Sequence, residues 1–215
     1  MNVSLQMMQQ QHDIYESMQL PRLEMMTFDG NPLKSWAFVN SFANTVGCTQ
    51  ASDQAKLARL LQCCKGKAYQ VIECCAAMQP SQGYARAKSL LEQRFGNDYV
   101  VAEAWVEKVI GGPQIKASDA KGLQEYSDDL RSCYETLNAM DKLSEVGNRR
   151  CVVKLDEKLP LYLQNRFRKI ANEMHVNRSR YPSFKEFAKI FDTASKEAND
   201  PVFGISARAK ATSVV

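Results

Sequence analysis

The residues of this 215-residue chain whose types invite chemistry are few: two histidines, His12 and His175, and seven cysteines. A general base needs a partner that orients it and tunes its pKa. His12 lies in a leader without capping signals and His175 at a helix end, and neither has a partner in the sequence, so both read as exposed side chains. The cysteine pairs Cys63-Cys64 and Cys74-Cys75 have ligand chemistry but the wrong spacing. Adjacent residues on a helix point about 100° apart, whereas zinc sites use Cys-x₂-Cys clips joined by further Cys or His. The cysteines read instead as small apolar packing groups. The residues therefore predict no catalytic site, no bound cofactor and no metal.

One triplet, Asp192-Thr193-Ala194, is similar to the Asp-Thr-Gly/Ala loop of aspartic proteases. That loop needs hairpins around it, and here the triplet falls inside an amphipathic helix, so Asp192 reads as a solvated helix residue. Positive charge is locally dense at Arg166, Arg168, Lys169, Arg178, Arg180 and Lys185. Two readings stay open for this group, a solvated helix face or a weak contact to RNA or a lattice neighbour. No aromatic platform is interleaved with it, so base-specific recognition is not expected.

Bulk charge agrees with a modest role for nucleic acid. The net charge is +4; residues 22–111 carry 10 basic and 8 acidic side chains and residues 112–200 carry 16 and 14. Neither half has the strong basic excess of a domain that grips nucleic acid. The first twenty residues hold no basic n-region followed by an apolar run, and no stretch approaches the roughly 18 apolar residues of a membrane span. An odd number of cysteines without a signal peptide predicts a cytoplasmic chain with reduced thiols and no membrane partner.

The elements that position these residues read as helices between short breakers. Residues 1–21 form a leader, a frayed helix or the end of a coiled coil, stopped by Pro21. Leu23–Phe28 reads as extended, and Asp29-Gly30-Asn31-Pro32 as a turn that places proline at the start of a helix. Five helices follow at about 33–46, 52–64, 68–78, 84–95 and 99–110, with apolar stripes that include Trp36, Phe42, Leu60, Leu61, Leu90, Phe95 and Trp105. Gly111-Gly112-Pro113 is the strongest break and is taken as a hinge. Four helices come after it: one from Ser118 or Asp119 to Met140, one at about 144–157, one opened by Pro160, and one opened by Tyr181-Pro182-Ser183 and closed by Asn199-Asp200-Pro201. The expected fold is all-α, with two small helical lobes at 22–111 and 112–200 and a flexible tail at 201–215.

The order of these motifs resembles the Gag capsid region of LTR retrotransposons, most closely the BEL/Pao group. The carriers are Leu20-Pro21-x-Leu23, Phe28-Asp29-Gly30-x-Pro32, Trp36-x-Phe38-x₃-Phe42, Lys56-Leu57-x₂-Leu60-Leu61-x₃-Lys65-Gly66-x-Ala68 and Tyr84-x₂-Ala87-x₂-Leu90-Leu91-x₃-Phe95-Gly96. Pro182-Ser183-Phe184-x₂-Phe187 and Ala198-Asn199-Asp200-Pro201-Val202-Phe203-Gly204 complete it. The resemblance implies a retroviral capsid-like pair of lobes, with Phe28, Trp36 and Phe42 anchoring the N-terminal lobe. It also implies a non-enzymatic protein that self-assembles through rings of five and six into virus-like particles enclosing RNA, contacted weakly through Arg166, Arg168, Lys169, Arg178 and Arg180. The family's zinc knuckle is absent here, and leader and tail read as marks of a segment cut from a longer polyprotein or of a host-domesticated remnant. The alternative is a domesticated intracellular adaptor that binds partner peptides in a groove.

Overall fold

The computed structural model describes residues 25–205. Leader, His12, Leu23 and the tail beyond Ile205 lie outside the described residues. The fold is all-α, with ten α-helices among the described residues: α1 (Pro32–Phe42), α2 (Asp53–Cys63), α3 (Gly66–Ile72), α4 (Pro80–Phe95), α5 (Asp98–Ile110), α6 (Ala120–Ala139), α7 (Ser144–Gly147), α8 (Arg149–Glu157), α9 (Leu161–Arg178) and α10 (Phe184–Ala198). A π turn, Ala43–Gly47, ends α1, and a 3₁₀ turn, Glu73–Ala77, ends α3.

Local chemistry explains the boundaries. Oxygen side chains at Ser52, Asn97, Asp119, Asn148 and Ser183 accept from the first free backbone N–H groups of α2, α5, α6, α8 and α10. Ser183 and Glu186 close a reciprocal capping box at α10. Asn148 divides the helix expected at 144–157 into α7 and α8. Pro160 is the N-cap of α9, one position before the helix it was expected to begin.

The chain divides into two compact units. Among the described residues, the first comprises residues 25–30 together with Ala37–Ser89, and the second Asn31–Trp36 together with residues 90–205. In the first unit Phe28 is extended and bridges Cys64: its N–H donates to Cys63 O (2.9 Å) and its C=O accepts from Lys65 N–H (2.7 Å). Its ring stacks on Phe38 at 4.9 Å, and Phe38 touches Phe42 at 6.0 Å. Around these rings Leu57, Leu60, Ala68, Ile72, Cys75 and Ala87 are buried. Each aromatic ring removed from water contributes about 1.5–3 kcal/mol. Gly83 is demanded by packing, because a Cβ there would sit 2.7 Å from Cys75 O.

The second unit has one continuous core. Leu123, Tyr126, Leu130, Cys133 and Leu137 of α6 pack with Phe184, Phe187 and Phe191 of α10 and with Val101, Ala102, Trp105 and Val109 of α5. Leu33 and Trp36 lie half-buried against the same core.

Two expectations are corrected here. The units do not divide at Gly111-Gly112-Pro113: α5, placed by sequence with the first lobe, shares its core with α6. Of the anchors expected for the first lobe, Phe28, Phe42 and Leu60 are buried in the first unit and Leu61 is half-buried there. Trp36, Leu90, Phe95 and Trp105 belong to the second. Phe38, quoted above only within a motif, is the ring that Phe28 stacks upon. The residues after Pro201 are also ordered at first. Asp200 Oδ1 accepts from the N–H groups of Val202 (2.8 Å) and Phe203 (2.7 Å), and Ile205 packs on the core.

These contacts predict opposite outcomes for two glycine substitutions. Gly83→Ala should lower stability by about 1–3 kcal/mol, the cost of forcing packed elements apart. Gly147→Ala, with nothing within 4 Å of the new Cβ, should be neutral or stabilising by up to about 1 kcal/mol. Urea unfolding of both variants checks the pair; equal effects would contradict the packing described for Gly83.

Candidate functional site

The residues with chemical potential do not converge. His175 is exposed and stacks on Tyr181 (centroids 4.7 Å apart) across a left-handed Ser179. Cys63 and Cys64 are buried, and burial pushes the Cys64 thiol up to about 12. Cys75 is buried and Cys74 exposed. No group of three or more His, Cys, Asp or Glu side chains among the described residues could hold a metal ion. Asp192 sits on α10 as a helix residue, bonded to Arg131 (2.9 Å) and Lys196 (2.5 Å); first the Lys196 bond and then the nearby charges hold its carboxyl below the ordinary range.

Two members of the basic group are held by carboxylates, one of them distant in sequence. Arg166 makes a two-pronged pair with Glu197 (2.5 and 3.1 Å), and Arg180 makes another with Glu186 (2.7 and 2.8 Å). Arg168 reaches Gln164 (3.3 Å). Lys169 projects from α9 to solvent, and Arg178 stands at the mouth of a groove. The five residues therefore do not form a continuous free cationic face.

That groove lies between the C-terminal half of α9 and the N-terminal half of α10 and encloses about 400 Å³. Ile170, Met174 and Ile190 form its floor and are half-buried. Glu173, Arg178, Glu186 and Lys189 line its rim. The sequence held a signal for it: Ile170 and Met174 fall on the α9 apolar stripe with Leu163 and Phe167, and Phe167 meets Phe187 of α10 edge to face at 5.0 Å.

The expected hinge is clamped rather than free. Lys158 Nζ donates to Gly111 O, and Lys158 O accepts from Ile115 N–H (2.9 Å). Gln114 donates to Leu159 O (2.7 Å), and the Tyr126 hydroxyl to Val109 O (3.0 Å). The Lys158 ammonium also lies 4.7 Å over the Tyr126 ring. Burial pushes the Lys158 pKa down and, more strongly, the Tyr126 pKa up. Gly112 has φ +80°, and a Cβ on Gly111 would stand 2.6 Å from Glu107 O. Alanine at these two positions would strain the segment rather than simply stiffen it.

A sequence profile described as "Protein of unknown function (DUF1759)" matches residues 28–176, and the chain belongs to this family, a domain found in retrotransposon Gag-like and polyprotein-like proteins. No curated protein and no solved structure matches the chain. No helix among the described residues is long and apolar enough to cross a membrane.

The Glu186 contacts give a pH prediction. The Arg180 bonds first, then the Ser183 backbone N–H, hold its carboxyl down at about 2 against an ordinary 4.5. A depressed carboxylate contributes stability above its unfolded pKa and loses it as pH falls through the folded one. The melting-temperature difference between the parent and Glu186→Gln should thus be greatest at neutral pH and shrink between pH 4.5 and 2. A difference constant over that window would contradict this assignment.

Proposed function

We propose that the chain is a Gag-type capsid protein, of the BEL/Pao kind or derived from it, whose copies self-associate into closed cytoplasmic particles around RNA. The observation that carries this reading is membership of a family found in retrotransposon Gag-like proteins. It is supported by two compact helical units with exposed apolar side chains that a lattice can bury. A lattice uses many small, reversible contacts repeated by symmetry, and an all-helical surface supplies several such faces. Rings of five and six, as the motifs imply, are the expected building blocks.

RNA enters this reading as filling held by charge. Arg168 and Lys169 carry the contact, since carboxylates within the fold occupy Arg166 and Arg180 and Arg178 lines the groove. Binding should be sequence-independent and fall steeply with salt.

Electron microscopy of the purified chain in moderate and high salt tests the proposal. Uniform hollow particles are expected, and Arg168→Glu with Lys169→Glu should reduce their RNA content without loss of helix content by circular dichroism. A monodisperse monomer under all conditions would contradict the shell and favour the peptide-binding adaptor. Unchanged RNA content in the double variant would assign RNA retention to other residues.

A further inference from the structure

Val202 and Phe203 are among the most exposed apolar side chains described, at 66% and 74% of their full accessibility. They do not hang from a loose end. The Asp200 carboxylate holds both their N–H groups, Gly204 N–H donates to Asp200 O (3.0 Å), and buried Gly204 lies against the backbone of Ala198 and Asp200. An aromatic ring displayed on a fixed turn pays little ordering entropy on binding, which is the character of an interface anchor.

The α9/α10 groove has the complementary form. Its floor is apolar, and its volume of about 400 Å³ accommodates a phenyl ring and an isopropyl group together. Its rim is weighted towards positive charge once the internal pair is set aside: Arg180 occupies the Glu186 carboxylate, leaving Arg178 and Lys189 against Glu173. The turn brings its own anion. Asp200 is kept ionised by the Phe203 and Val202 N–H groups and stands immediately beside the two apolar side chains.

The two features do not meet within the copy described. Val202 and Phe203 stay exposed to solvent. Gly204 keeps the turn against Ala198 at the end of α10, about 7.5 Å along the axis from Thr193 of the groove at 1.5 Å per residue.

We infer that the Val202-Phe203 turn of one copy docks into the α9/α10 groove of a second copy, with Asp200 facing Arg178 and Lys189, as a head-to-tail contact between subunits. This inference rests on the self-association proposed above and names one of its contacts. Made about a twofold axis such a contact occurs twice within a dimer; made without one it is heterologous and propagates into rings or open chains.

Sedimentation velocity of the full chain over a concentration series tests it, with three variants. Phe203→Asp removes the anchor, and Thr193→Arg fills the groove from an exposed position. Tyr99→Asp changes a similarly exposed apolar residue on α5, an element that contributes to neither the groove nor the turn. Circular dichroism confirms that each is folded. The parent and Tyr99→Asp should associate alike, and the first two variants should each weaken association roughly 30-fold, as expected for loss of an anchor worth about 2 kcal/mol. Mixing those two in equal amounts should give a one-to-one dimer that goes no further, since each supplies the half that the other lacks and the pair has no competent half left. Association unchanged in both variants, or a mixture that stays monomeric, would overturn the contact while leaving the shell reading in place if the parent still forms particles. A parent that is monomeric at every concentration would overturn both.

Discussion

The buried phenol of Tyr126 is the interaction on which the larger unit depends. Its ring lies edge-on to Phe191 of α10 at 5.4 Å, and its hydroxyl donates to the carbonyl of Val109 at the end of α5. A hydroxyl this deeply buried costs free energy without a partner, so placing Tyr126 on the inner face of α6 fixes where α5 must end. The Lys158 ammonium over the same ring then reaches Gly111 O, which ties the corner between α8 and α9 to the linker. One side chain thus couples α5, α6, α10 and the segment at Gly111-Gly112-Pro113. Burial of the Leu123, Leu130 and Leu137 stripe supplies the bulk of the driving force, and the Tyr126 contacts give that burial its geometry.

Much of the fold was legible because local rules act within a few residues. Side-chain oxygens before apolar stripes left Ser52 or Asp53, and Ser118 or Asp119, as caps and set Ser183 at the opening of the last helix; the caps are Ser52, Asp119 and Ser183. The stripes of α6 and α10 also became core. The unit boundary was not legible. Gly-Gly-Pro is a break in helical propensity, but whether a break is a hinge depends on partners far along the chain, here Lys158 and Leu159. The same limit explains the two tryptophans. Periodicity shows that Trp36 and Trp105 face something apolar, not which core they join, and both join the second.

The candidate site was harder to read because charge pairing is non-local. Arg166 and Glu197 are 31 positions apart and meet only because α9 and α10 pack side by side. Within a cluster that looks like a free basic patch in one dimension, Arg166 and Arg180 are held in ion pairs in three. Exposed pairs of this kind add little stability individually, but they decide which cations remain free on the surface. The groove escaped notice because Ile170 and Met174 continue the α9 stripe of Leu163 and Phe167 and so read as core; packing leaves that end of the stripe only half-buried.

The central claim is that α5 belongs to one cooperative unit with α6 and α10, with the Gly111–Pro113 segment inside that unit and not a hinge. Native-state hydrogen exchange on the full chain measures this most directly, since amides that open together report one unit. The account predicts that the amides of Val101, Ala102, Trp105 and Val109 share the opening free energy of those in α6 and α10, and that Ile115 N–H, bonded to Lys158 O, is protected with them. Exchange of the α5 amides together with those of α2 and α3, at a free energy separate from α6, would contradict it.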